Sequence, residues 1–449
     1  MDILEKHAIE NLSQGGFVLA LNTGAEIDGQ AEAMLQALHS RSTGGIRHHL
    51  EMLREKGAEN FMEQFYVGYG HKSIGDCGSA TIFVEGVSML AAKAIQDWRL
   101  YSGQEASTRY VDFSQQKFID PTNTEEGKEI LEGWRKFYLE AQDPVREHLK
   151  KQFPLNEGED EKIYEKAIKA RAFDITRSFL PAGATTNVAW RMNFRQFADE
   201  LMLLRHHPLE EVRDIAEKTE AVLRKMYSSS FGHERFPNTE EYNKKWMQGK
   251  YYYKNDKAKD FELVYDNIDR SLLSNYRDIL ESRPMKTELP TAIGECGVVA
   301  YEFLLDFGSF RDLQRHRAII QRMPLLTREH GFNKWYLNAL PEELKQKTEE
   351  FIKSQEEKIK ALGIKEEDAQ YFAAMGYQVP CRFSADLKAL VYLAELRSTR
   401  FVHPTLVEQI LKMIESMKEL FEKDGLVLHL DDEPNRFDIK RGEQDIVEK

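Results

Sequence analysis

The feature that most constrains this chain is an internal echo. Ile74-Gly75-Asp76-Cys77-Gly78 recurs as Ile293-Gly294-Glu295-Cys296-Gly297, with the two cysteines 219 positions apart. An apolar segment follows each pentapeptide and then a polar triplet, Asp97-Trp98-Arg99 in the first half and Arg315-His316-Arg317 in the second, 218 positions apart. Further on, His207-Pro208 and His403-Pro404 each follow a helical pattern ending in arginine (Arg205, Arg397) and precede another. Three echoes in one order, the first two at nearly one spacing and the third 196 positions apart, predict a duplicated and diverged unit, not a single continuous domain. A length of 449 residues agrees with more than one domain.

Apolar residues recur at helical spacing over 130–149, 163–179, 195–204, 209–226, 344–362, 387–396 and 406–420. Strand-like runs are fewer, at 16–21, 81–84 and 298–304. The expectation is a helix-rich α+β fold built of two similar repeats that form a pseudo-dimer. Residues 228–260 are polar and punctuated by Gly, Pro and Asn, which predicts a linker. The expected division is therefore 1–227, a linker over 228–260, and 261–449.

Composition narrows the function. A net charge of −13 argues against a nucleic-acid binder, although a local basic cluster can still meet a small anion. Cys77, Cys296 and Cys381 are too few and too scattered for a disulfide framework or a thiolate metal site. The best apolar stretch, 80–94, is interrupted by Glu85 and Lys93, and Met1–Glu10 lacks the basic-then-apolar order of a signal peptide. A cytoplasmic protein that binds neither membrane nor nucleic acid is expected.

Three polar groups are candidates for chemistry. In 99–110, Gly103 breaks the periodicity and leads into an extended run, where Glu105, Ser107 and Arg109 would share one side. An acceptor, a small donor and a forked cation can together hold a phosphate and a sugar hydroxyl; a solvated loop is the plainer alternative. Arg315-His316-Arg317 reads as an anion clamp or as cations completing a helix end. Arg177 precedes Leu180-Pro181, where a helix must stop. Asn193 is placed to cap the next helix, and Arg195 and Arg205 fall nearly three turns apart on one face, where a carboxylate or anion must separate them.

Taken together, the chain resembles the flavin-dependent thymidylate synthases. The resemblance is carried by His71-Lys72-Ser73, Gln104-Glu105-Ala106-Ser107-Thr108-Arg109-Tyr110, Arg177 with Leu180-Pro181, and Asn193-Phe194-Arg195 in the first half, and by Arg315-His316-Arg317 in the second. It covers residues 15–225 well and 281–420 faintly. It departs from the family at Asp97-Trp98, where Arg-His belongs, and after Arg317, where no Ser-x-Arg-Tyr follows. Each half keeps what the other has lost.

The resemblance implies transfer of a one-carbon unit from methylene-tetrahydrofolate to dUMP or a related pyrimidine nucleotide, with FAD as cofactor, NADPH as co-substrate and no protein nucleophile. It implies Glu105, Ser107, Arg109, Arg177 and Arg205 as substrate contacts. It implies His71, Ser73, Arg99, Asn193, Arg195, Arg315, His316 and Arg317 as flavin contacts. Trp98, an indole where the family has His, is added to these for its capacity to stack. A homodimer imitating the family's homotetramer is expected; a non-catalytic flavin- or nucleotide-binding relic is the alternative.

Overall fold

The computed structural model describes residues 7–22, 24, 27–40, 45–108 and 111–443. They form a helix-rich α+β architecture. Two compact units result, each drawn from two stretches of chain: 1–119 with 184–251, and 120–183 with 252–449. Among the described residues, no helix is long and apolar enough to cross a membrane.

The first unit is built on a sheet of five strands, β1 (Ala8–Asn11), β2 (Phe17–Ala20), β3 (Ser79–Ser88), β4 (Ser102–Glu105) and β5 (Thr185–Asn193), in the order β1-β2-β3-β5-β4 and antiparallel throughout. Along β5 the side chains of Val188, Trp190 and Met192 are buried while Asn187 and Arg191 are exposed, the alternation of a half-buried strand. Ser88 ends β3 and caps the helix Met89–Gln96, accepting from the Ala91 amide. Its own hydroxyl donates to Glu211 at 2.6 Å. The stretch that composition marks as a linker contains the helix Pro237–Lys250, which opens on proline, the residue best suited to a first helical turn.

The second unit pairs β6 (Tyr252–Tyr253) with β10 (Met323–Pro324) and carries a four-stranded sheet. That sheet joins β7 (Phe261–Asp266), β8 (Val299–Asp306), β9 (Ile320–Gln321) and β11 (Gln378–Ala385) in the order β7-β8-β11-β9. Both sheets thus have one inner pattern, a long strand paired to a later strand whose other neighbour is a short one. In each, the long strand runs into a helix capped by its last residue, Ser88 in one case and Asp306 in the other.

The one-residue drift between the echoes has a structural cause. Eleven positions separate Cys77 from Ser88 and ten separate Cys296 from Asp306. The additional residue falls at Gly86, where β3 bulges between Glu85 and Val87 and φ is +71°.

Within the second unit, Ser178–Gly183 crosses Tyr371–Gly376. Ala182 N donates to Ala373 O and Met375 N to Leu180 O, each at 2.9 Å. Gly183 N reaches Tyr371 O at 2.9 Å and Gly376 N reaches Ser178 O at 2.8 Å. Every bond has a counterpart 193 positions away with the two segments exchanged: 375 answers 182, and 376 answers 183. The helices Glu125–Gln152 and Glu342–Ala361 pack beside this crossing, with Phe137 stacked on Phe351 at 4.4 Å. By the same offset, Arg177-Ser-Phe-Leu-Pro181 matches Gln370-Tyr-Phe-Ala-Ala374. The same offset matches Asn193-Phe-Arg195 with Asp386-Leu-Lys388, and Asp386 caps its helix as Asn193 does.

Candidate functional site

The densest cationic cluster lies in the second unit. Asp306 fixes its base: it accepts from Ser309 N at 2.7 Å, from the Tyr336 hydroxyl at 2.9 Å and from the Thr405 hydroxyl. Burial raises its pKa in spite of these bonds. The short helix that it caps, Phe307–Leu313, carries Arg311 and Asp312 in its last turn and releases the chain into Arg315–Arg317. Burial pushes Asp312 up, but Arg315, Arg177, Arg397 and Arg311 together draw it below the ordinary carboxylate range. Arg315 Nη1 lies 3.6 Å from Asp312 Oδ1. Arg177 is also drawn by Asp174 and Asp306, so three carboxylates stand among the four guanidiniums, two of which, Asp306 and Asp174, are fully buried.

Arg177 comes to this cluster from the first half of the sequence. It follows the helix Glu161–Thr176 and begins the 3₁₀ turn Arg177–Phe179. Its Nε is buried without a hydrogen-bond partner among the described residues. Three residues earlier, Asp174 pairs with Arg441, and its carbonyl lies 3.2 Å from His403 Nε2. His316 is buried while Arg315 and Arg317 are exposed. The His316 Nε2 atom accepts from Arg397 Nε at 2.7 Å. Burial and then the Arg397 charge lower its pKa to about 3.

In the first unit the family-like positions are engaged by protein partners. Glu105 accepts from Lys93 Nζ at 2.8 Å and from Gln96 Nε2 at 2.9 Å, and the Lys93 and Glu105 side chains are almost wholly buried. The extended run ends at Glu105, so Ser107 is exposed where Glu105 points inward. Arg109 lies outside the described residues. Trp98 Nε1 donates to Gln196 at 2.8 Å, and Arg99 is exposed.

Asp76 gathers Asn193 Nδ2 at 3.3 Å and Arg195 Nη1 at 3.0 Å, and Asn193 caps its helix through Gln196 N at 2.8 Å. His71 and Ser73 are exposed at the short helix Lys72–Gly75. Arg195 and Arg205 both line a cavity of about 350 Å³, together with Tyr66, Lys72 and His233. Carboxylates do separate the two arginines: Arg205 forks onto Glu240 at 2.6 and 2.9 Å and reaches Glu220 at 3.4 Å, while Arg195 has Asp76 and Asp199. Glu240 comes from the Pro237–Lys250 helix, which composition alone did not reveal.

The structure thus brings Arg177 together with Arg315 and His316, and separately brings Asp76 together with Asn193 and Arg195. It adds Arg311, Asp312 and Arg397 to the first group. Arg397 carried a signal in the sequence, as the counterpart of Arg205 at a helix end before His-Pro. Arg311 and Asp312 carried none, since a charged pair on a short helix resembles any solvated turn.

Residues 25–227 match the family model described as thymidylate synthase complementing protein. A UPF0159 protein of Chlamydia pneumoniae is 26% identical over 430 residues, covering 82% of this chain and 80% of the relative. A UPF0159 protein of Thermoplasma acidophilum is 24% identical over 444 residues, covering 82% and 87%. A flavin-dependent thymidylate synthase of Thermococcus onnurineus is 26% identical over 174 residues, covering 37% of this chain and 63% of the relative. The class that these matches define is related to thymidylate synthases. Within it, this chain fits a diverged family similar to the flavin-dependent thymidylate synthases and shares most of its length with UPF0159 proteins.

Proposed function

We propose that the protein is a flavin-dependent thymidylate synthase-like enzyme that transfers a one-carbon unit from methylene-tetrahydrofolate to dUMP or a related pyrimidine nucleotide. One observation carries this reading: Arg177 from the first half meets Arg315, His316 and Arg397 from the second around Asp312. One residue kept by the first half thus shares a carboxylate with the triplet kept by the second, which supports divided labour between the halves. The mirrored hydrogen bonds of 178–183 and 371–376 further support two repeats forming a pseudo-dimer, and so a homodimer in place of a homotetramer.

The cluster fits a phosphate-bearing ligand, because Arg177 offers a buried Nε–H without a hydrogen-bond partner among the described residues, and Arg315 and Arg317 are exposed beside it. Its residues would bind and orient the phosphate and polarise electron-rich oxygens of the ligand. Bound FAD, reduced at the expense of NADPH, supplies the redox chemistry of methyl formation. Glu105, Ser107, Arg109 and Arg205 stand as proposed substrate contacts on the resemblance alone. His71, Ser73, Trp98, Arg99, Asn193, Arg195 and Arg317 stand likewise for flavin.

A binding relic is the second reading, motivated by the engagement of Glu105, Trp98, Arg195 and Arg205 with protein partners. The absorbance spectrum of purified protein, with flavin counted per chain, and release of C5 tritium from labelled dUMP separate the two. The enzyme is expected to be yellow, to hold about one flavin per chain and to release tritium when folate and reductant are supplied. Colourless protein that takes up no FAD defeats the enzyme reading and favours the relic. Binding of dUMP without turnover, and without rescue of a thymidine-requiring strain, leaves only the relic.

A further inference from the structure

We infer that Arg397 is a positioning residue for His316, holding the imidazole as the neutral tautomer protonated on Nδ1. The inference rests on the reading of the Asp312 cluster as an anion site. A guanidinium carries donors and no acceptor. With Arg397 Nε 2.7 Å from His316 Nε2, that ring nitrogen must accept, and the ring proton is left on Nδ1. A second fork of Arg397, Nη2, donates to the Asp312 carbonyl at 2.9 Å, so the arginine cannot swing away without breaking two bonds. Tyr392, on the same helix as Arg397, sets its ring 5.9 Å from the imidazole at 62°.

The charged and titratable groups around the ring are Arg397 and Tyr392 from one helix, Asp312 from the other, and its neighbours Arg315 and Arg317. Burial and the Arg397 charge oppose protonation, and Asp312 alone favours it. Among the described residues Nδ1 has no protein partner. The triplet therefore presents two permanent cations flanking a neutral N–H donor instead of three cations.

The first half treats the same positions differently. Trp98, the counterpart of His316, donates to Gln196, and Arg205, the helix-end counterpart of Arg397, is held by Glu240. The His–Arg contact thus belongs to the second repeat among the described residues.

The test uses the full chain labelled with ¹⁵N-histidine, His316 being assigned through His316→Gln. In the unmodified protein the His316 signals should report the Nδ1–H tautomer from pH 5.5 to 8.5 without titrating. In Arg397→Ala the ring should lose its fixed Nδ1–H tautomer and its pKa should rise above the parent's, staying below the ordinary histidine value of about 6.5 because burial remains. Arg397→Lys, which restores a cationic donor, should recover the neutral form. Affinity for dUMP and for inorganic pyrophosphate should fall about tenfold in Arg397→Ala at pH 8. Relative to the unmodified protein, that loss should shrink towards pH 5.5, as the freed imidazole gains charge.

A His316 that titrates between pH 5 and 8 in the unmodified protein, or carries its proton on Nε2, overturns the inference. So does an Arg397→Ala spectrum unchanged from the parent. If the tautomer behaves as stated while neither anion binds, the positioning role stands and the nucleotide reading fails.

Discussion

Glu200 shows how one side chain can work against the fold that contains it. It lies on the helix Phe194–Leu204, is 2% exposed, and neither carboxyl oxygen has a hydrogen-bond partner among the described residues. Burial, with Asp97 adding to it, raises its pKa well above the ordinary value. The folded protein thus binds a proton that the unfolded chain releases above about pH 4.3, so this residue's contribution to stability falls as pH rises from there through the folded value. Glu200→Gln removes the titration. Urea midpoints measured from pH 4 to 8 should show the variant gaining on the parent as pH rises; a constant difference would contradict the assignment. His316 shows the same order of causes, burial first and then a neighbouring charge, Arg397. Sequence reading selected Arg177, Arg315 and His316 as site residues, but gave no hint that Glu105 would be consumed by Lys93 or Arg205 by Glu240. Such pairings join residues 12 and 35 positions apart in the chain, and no local pattern encodes them.

Helices were the legible elements. Those expected over 130–149, 163–179, 195–204, 209–226, 344–362, 387–396 and 406–420 all stand within five residues of their ends, because an apolar stripe at helical spacing is written in the chain itself. The strands β5 and β11 went unread, the first because its buried alternate positions begin on polar Thr186 before Val188, Trp190 and Met192, and the second because Pro380 interrupts it. The helix Pro237–Lys250 was hidden by its polar composition and buries only Asn243 and Met247. The crossing at 178–183 and 371–376 depends on close approach. A Cβ on Gly376 would lie 2.2 Å from Phe332 Cζ, and Phe332 itself stacks on Phe179 at 5.5 Å. Gly376→Ala should therefore cost about 1–3 kcal/mol, read as a lowered urea midpoint with unchanged slope. A neutral outcome would mean that the ring can retreat and that the crossing tolerates the displacement.

At the scale of the molecule, sequence order and compact units divide the chain differently. Residues 120–183 lie in the first half by order and in the second unit by packing. They bring Trp134, whose indole donates to Phe372 O at 3.0 Å, and Phe179, which stacks on Phe332. A fragment of residues 252–449 alone lacks these and should expose apolar surface, bind a hydrophobic dye and lose a cooperative thermal transition. Addition of a 120–183 segment in trans should restore part of it. A fragment that folds cooperatively by itself would argue that the segment is an accessory and not a member of that core. The sequence by itself determined the helical stripes, the duplicated order and the residue types able to hold an anion, because each is a matter of spacing or side-chain chemistry along the chain. Only the tertiary structure decided that Arg177 joins the second repeat's arginines, that Gln370 is its counterpart, and that Arg397 fixes the His316 proton. Those facts arise from segments that meet in space after the intervening chain has folded, and pairwise contact over such separations leaves no periodicity to read.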